Sequence, residues 1–130
     1  MSDTRKASSV AIFETVAKSI IDRFAYVTDK QAFGQLDLWK PCREVGGRLV
    51  GDCEDFCITI AEACDAQGVP AEDLTLYLVA IEREPDHVVI GCGDWIADCN
   101  DRGLMPKRGK HYFRWVTERN LGTGVWVHSR

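Results

Sequence analysis

Hydrophobic positions recur at helical spacing in two parts of the chain. In SSVAIFETVAKSIIDRFAY, the residues Val10, Phe13, Val16, Ala17, Ile20, Ile21 and Phe24 return every three or four positions, the period of an amphipathic helix packed on a core. Ser8 or Ser9 stands where an N-cap belongs. In DCEDFCITIAEACDAQ, residues 52–67, Asp52 is a good N-cap, and Gly68 followed by Pro70 is a good stop. At about 100° per residue, Cys53, Cys57, Ile60, Ala61 and Cys64 form one narrow stripe, with Asp55, Glu62, Asp65 and Ala66 on the other side. The stripe is expected to face the core.

After the second helix the period changes. LTLYLVAIE (74–82), HVVIG (87–91) and DWIADC (94–99) are short, rich in β-branched and aromatic residues, and separated by turn residues, which predicts strands. A further strand is expected near YFRWVTE or GVWVHS. Between Thr28 and Val50 the pattern is irregular, with Gly34, Pro41 and the Gly46-Gly47 pair, and reads as a loop-rich connection carrying Trp39. Helices first and strands later predict an α+β fold with a mainly antiparallel sheet. A length of 130 residues suits one domain spanning 1–130.

Composition narrows the function classes. The chain is 45% hydrophobic and 28% charged, with no apolar run near the ~20 residues of a membrane helix. Sixteen basic against 20 acidic residues give a net charge of -4, which offers no footprint for nucleic acid. The short KRGK run at 107–110 reads as a solvated loop. MSDTRKASSV lacks the apolar core and cleavage site of a secretory signal, so a cytoplasmic location is expected. Six cysteines (Cys42, Cys53, Cys57, Cys64, Cys92 and Cys99) are then expected to be thiols, most of them small buried apolar residues. Cys53 and Cys57 are four apart and Cys92 and Cys99 seven apart, so no C-x-x-C pair announces a structural zinc site.

The stretch LVGDCEDFC sets one thiol among three carboxylates. Cys53 falls in the first helical turn, where free backbone N–H groups and the helix dipole favour a thiolate. Glu54 and Asp55 are rotated about 100° and 200° away from it around the helix axis. The plainer reading of DCED is good capping and nothing more. A nucleophilic thiol needs a base, and the histidines are His87, His111 and His128. If HVVIGCGDWIAD is a hairpin turning at Cys92-Gly93, Ile90 pairs with Trp95, Val89 with Ile96, Val88 with Ala97 and His87 with Asp98. Asp98 can then fix one imidazole nitrogen and leave the other for the thiol. A His-Asp pair that only stabilises the sheet is the competing reading. His111 in a basic turn and His128 near the C-terminus read as surface residues.

With these residues in place, the chain resembles the bacterial transglutaminase-like cysteine proteinases, whose best-known members are periplasmic enzymes that clip biofilm adhesins. The resemblance runs from about Phe24 to Trp126 and is carried by RFAYVTD, DLWKPCREV, GDCEDF, GVPAEDLTL, HVVI and WIADCN. It implies a papain-like fold, with the nucleophile Cys53 at a helix N-terminus, packed on an antiparallel sheet that carries the base His87 and the orienting Asp98. It implies a protein or peptide substrate and, by analogy with members that bind calcium beside the site, a calcium ion on Asp52, Glu54 and Asp55. The family's usual asparagine after the orienting aspartate is Cys99 here, and no export signal is visible, so a cytoplasmic or phage-encoded enzyme is expected rather than adhesin cleavage. Transfer to an amine, deamidation, and protein binding without catalysis are the alternatives on the same fold.

Overall fold

The computed structural model describes residues 2–26, 40–81, 84–99, 103–108 and 113–129. Helix α1 (Ser2–Arg23) is followed by β1 (Phe24–Tyr26), β2 (Arg43–Val45) and β3 (Arg48–Gly51), then helix α2 (Cys53–Ala66). A 3₁₀ turn (Ala71–Asp73) leads into β4 (Leu74–Ile81), β5 (Glu84–Cys92), β6 (Trp95–Ala97), β7 (Leu104–Pro106), β8 (Phe113–Asn120) and β9 (Trp126–His128). The last six strands form one antiparallel sheet in the order β7-β6-β5-β4-β8-β9. β1, β3 and β2 form a second, smaller sheet in which β1 and β3 run parallel. This is the expected α+β architecture.

Both helices share one core with β5. Phe13, Val16, Ala17 and Ile20 of α1, Phe56, Cys57, Ile60 and Cys64 of α2, and Val88, Ile90 and Cys92 of β5 are all buried in a single cluster. The stripe read from the second helix is therefore the packed face, except that Ala61 is only partly buried. Cys57, Cys64 and Cys92 serve as the small apolar residues expected, and no described cysteine is in a disulfide. Trp39 and His111 lie outside the described residues.

Three sequence expectations are corrected or refined. Neither Ser8 nor Ser9 caps α1, which begins at Ser2. Ser9 is instead buried within the helix, and its hydroxyl donates to Asp73 Oδ2 at 2.7 Å. The 28–50 segment, read as loop-rich, contains a hairpin among its described residues, in which Gly46 and Gly47, with φ of 58° and 83°, join β2 to β3. Positive φ at both central residues is what a type I′ hairpin turn demands. The β5–β6 hairpin turns at Gly93-Asp94, so Ile90 pairs with Ala97, Gly91 with Ile96 and Cys92 with Trp95. The register is two residues away from the expected one, and an even slip keeps every side chain on its expected side.

Gly51 joins the small sheet to α2. A Cβ at this position would lie 2.6 Å from Asp55 Cβ and 2.7 Å from Asp55 Oδ2, so only glycine lets the helix start approach β3 this closely. Gly51→Ala is expected to destabilise the fold by about 1–3 kcal/mol, the usual range for a methyl forced into a packed site. Denaturant unfolding measures it. An unchanged midpoint would show that Asp55 and the helix start yield without strain.

Candidate active site

The start of α2 is capped by its own acids. The Asp52 carboxylate accepts from the Asp55 backbone N–H at 3.1 Å, and the Asp55 carboxylate accepts from the Asp52 N–H at 3.3 Å. This reciprocal capping box satisfies two backbone donors that a helix start leaves open. The wheel placed Asp55 opposite the buried stripe, yet Asp52, Cys53, Glu54, Asp55 and Phe56 are all buried. The periodicity of an isolated helix does not register this, because α2 packs against α1, β3 and β5 together.

Enclosure decides the protonation of this turn. Burial first, then the Glu54 and Asp52 carboxyl groups, push the Cys53 thiol up to about 12, against hydrogen bonds with the backbone of Val88 and its own backbone. Cys53 is a neutral thiol at rest. The helix dipole does not outweigh desolvation here, contrary to the expectation of a ready thiolate. Glu54 is 1% exposed, and burial first, then Asp52, raise its carboxyl from the ordinary 4.5 to about 8. Glu54 thus holds a proton at neutral pH, which removes most of a negative charge from beside the sulfur.

His87 and Asp98 meet across the β5–β6 hairpin. His87 Nε2 lies 2.7 Å from Asp98 Oδ1, with His87 6% exposed and Asp98 fully buried. Asp98 follows the last ladder pair of β6, and its backbone is fixed by its own N–H donating to the Gly103 carbonyl at 2.9 Å. Where Asp98 accepts the Nε2 proton, the lone pair of the ring is on Nδ1. Direct opposition was expected, whereas the observed register makes the contact diagonal, a reach that long side chains span.

The two halves of the site adjoin. The Cys57 thiol, one helical turn after Cys53, donates to the Val88 carbonyl at 3.7 Å, so α2 is seated on the residue next to His87. The same thiol is raised by burial first and then by Cys53, Cys99 and Asp98. Burial first, and then Cys53 and Asp98, also push the Cys99 thiol well up. Tyr26, paired in register with Gly51, has its phenol raised to about 12, by desolvation first and then by Cys53 and Cys99. Cys99 and Tyr26 neighbour the candidate site electrostatically and have no role in the sequence reading. Their signals were slight: adjacency to Asp98 for one, and a place in RFAYVTD for the other. His128 lies on β9 and is exposed.

The acids of GDCEDF offer only hard oxygen donors, the type calcium takes. Glu54 Oε1 is a buried oxygen with no hydrogen-bond partner among the described residues, and its carboxyl group adjoins that of Asp52. A cation in place of the Glu54 proton suits this pair. Asp55 is committed to the cap through Oδ2. Among the described residues, the set that draws three donor atoms within 4.8 Å of one another is His87, Asp98 and Cys99.

Comparison with known proteins gives this geometry a context. The chain is similar to the solved structure of Legionella pneumophila LapG, with 25% identity, a TM-score of 0.63, and coverage of 86% of this chain and 65% of that one. A calcium-bound structure of Legionella pneumophila LapG shares the fold at 24% identity and a TM-score of 0.64, covering 90% of this chain and 71% of that one. The chain therefore spans 65% of the length of the first of these structures. No curated protein sequence matches. Among the described residues, no helix is long and apolar enough to cross a membrane. The family model described as bacterial transglutaminase-like cysteine proteinase matches residues 2–129, and the chain belongs to that family.

Proposed function

We propose that the protein is a cysteine peptidase or amidase acting on a protein or peptide, with Cys53 as nucleophile, His87 as general base and acid, and Asp98 as orienting carboxylate. The observation that carries this reading is the buried 2.7 Å His87–Asp98 hydrogen bond beside the start of α2, in a chain of this family. The Cys53 thiol also meets the backbone of Val88, the residue next to His87. Because Cys53 rests as a thiol, its proton leaves for His87 as the sulfur attacks the amide carbonyl. Asp98 steadies the imidazolium that forms, and His87 then returns the proton to the departing amine. The Cys53 backbone N–H, at the open start of α2, is placed to donate to the oxyanion.

Within this reading, Asp52, Glu54 and Asp55 are the residues that would hold calcium, and the two aspartates also keep the helix start in place. When bound, the ion supplies positive charge beside Cys53, where the metal-free site has two carboxyl groups that raise the thiol.

Three outcomes are expected. Cys53→Ala should abolish hydrolysis and remove labelling by a thiol-reactive peptide probe, while the melting temperature stays close to wild type. Labelling that persists on another cysteine would contradict the assignment. Asp98→Asn should lower kcat by about 10⁴, the loss seen when an orienting carboxylate is replaced and the wrong imidazole tautomer results. A steady-state comparison reads it, and a loss confined to KM would count against the role.

The third outcome concerns Glu54 and pH. Its folded value of about 8 lies above the ordinary 4.5, so the folded state keeps a proton that the unfolded chain releases. That stabilisation is fully present below about 4.5 and is lost as pH rises through about 8. Metal-free protein should melt at progressively lower temperature across this window, and Glu54→Gln should flatten the trend. In the wild type, calcium should raise the melting temperature at the upper end of the window, because it binds only the folded state. Glu54→Gln should lose most of that rise, and equal shifts in both proteins would exclude Glu54 as a ligand.

A further inference from the structure

Cys99 has no part in the acyl-transfer reading, yet its sulfur lies in the same 4.8 Å group as donor atoms of His87 and Asp98. We infer that these three residues form a second, thiophilic metal site, which takes a zinc-class divalent ion and thereby withdraws His87 from proton transfer.

The donor set differs in kind from the oxygen set at Asp52 and Glu54. Imidazole nitrogen, carboxylate oxygen and thiolate sulfur suit a borderline-soft ion such as Zn²⁺, whereas calcium takes oxygen donors. Tetrahedral zinc sites hold nitrogen and oxygen at about 2.0–2.2 Å and sulfur at about 2.3 Å. Donor atoms on one such ion therefore stand roughly 3.3–3.7 Å apart. A group already within 4.8 Å needs only a small closure to reach that spacing. The His87–Asp98 contact is the exception, because 2.7 Å is shorter than two ligands on one ion allow. It has to open by about half an ångström, so the ion replaces the hydrogen bond that orients the base.

The charges balance without any co-reactant. Asp98 supplies one negative charge. The Cys99 thiol loses its proton to solvent as the metal–sulfur bond forms, and the thiolate supplies the second. The imidazole stays neutral, with its ring proton on the nitrogen that does not ligate. One proton is released per ion, so binding weakens as pH falls. A fourth position remains for water.

The site has a route to solvent. Cys99 is only partly buried, and Tyr26, whose phenol is affected by Cys99, is 54% exposed. It also departs from the C-x-x-C pattern of structural zinc sites. Its ligands come from β5 and from the segment directly after β6. An ion held here acts as a reversible block. That inhibitory consequence rests on the peptidase reading, whereas the binding itself does not.

The test uses Co²⁺ alone, added to calcium-loaded protein and followed by its thiolate-to-metal charge-transfer absorption. Wild type should give the band at one equivalent, and Zn²⁺ but not excess calcium should displace it. Cys99→Ser should lose the band, with affinity at least about 100-fold weaker, since even groups outside a ligand set change affinity 10–100-fold. Cys53→Ala should retain it. A band that survives Cys99→Ser, or that disappears in Cys53→Ala alone, would overturn the assignment. In unmodified protein, Zn²⁺ should suppress alkylation of Cys99 but not of Cys42, and a chelator should restore it. Unchanged Cys99 alkylation would contradict the site without relying on any variant that folds poorly. These readings need no turnover. An absent band with Cys53-dependent hydrolysis intact defeats the metal site only, and a normal band with no hydrolysis defeats the peptidase reading only.

Discussion

The organisation of the site depends on the reciprocal hydrogen bonds between Asp52 and Asp55 at the buried first turn of α2. A buried helix start cannot rely on water for its N–H groups, and an unsatisfied buried donor costs about 1–3 kcal/mol. The cap is therefore what permits α2 to begin inside the protein, with Cys53 at its first position. Gly51 makes the same demand from the other side, because its missing Cβ is the space that the Asp55 side chain occupies. Read this way, each letter of GDCEDF has a separate physical task. Glycine gives clearance, the two aspartates cap, cysteine carries the sulfur, phenylalanine anchors the turn in the core against Phe24 at 5.0 Å, and Glu54 controls local charge.

Enclosure also sets the chemistry. A thiol raised to about 12 is inert until a base takes its proton in the step that uses it, which ties reactivity to His87 and to the carboxylate that orients it. The protonated Glu54 fits the same logic. Two full negative charges beside a buried sulfur would hold the thiol even more firmly, whereas a shared proton, or a cation in its place, relieves the repulsion. The cluster of His87, Asp98 and Cys99 has the opposite consequence, because a group that can hold a proton in place can also hold a metal.

Much of this was legible in the sequence where local signals are strong. Asp52 and Gly68 bracket α2 almost to the residue, with Gln67 as C-cap and Gly68 at φ 92°. The strands between Leu74 and Ala97 follow from β-branched runs broken by turn residues. The β2–β3 hairpin escaped because three- and four-residue strands leave no readable period, although Gly46-Gly47 was its turn signal. The β5–β6 register was misplaced by two because CGD offers two plausible turns, and the ladder closes at Cys92–Trp95. Burial of Glu54 and Asp55 was out of reach, since a helical wheel describes one helix and not the sheet and second helix it packs against. The thiol's raised pKa follows from that same enclosure and was misread for the same reason.

The central claim is that His87, oriented by Asp98, removes the proton of a buried neutral Cys53. The most direct test is the rate at which an electrophilic substrate-like peptide acylates Cys53 at neutral pH, followed by intact-protein mass spectrometry in wild type and His87→Ala. The account predicts a single adduct mapping to Cys53 in wild type, and a rate lower by about 10²–10⁴ without His87, the range attributed to a positioned base. An undiminished rate in a folded His87→Ala protein, or an adduct on a different cysteine, would contradict it.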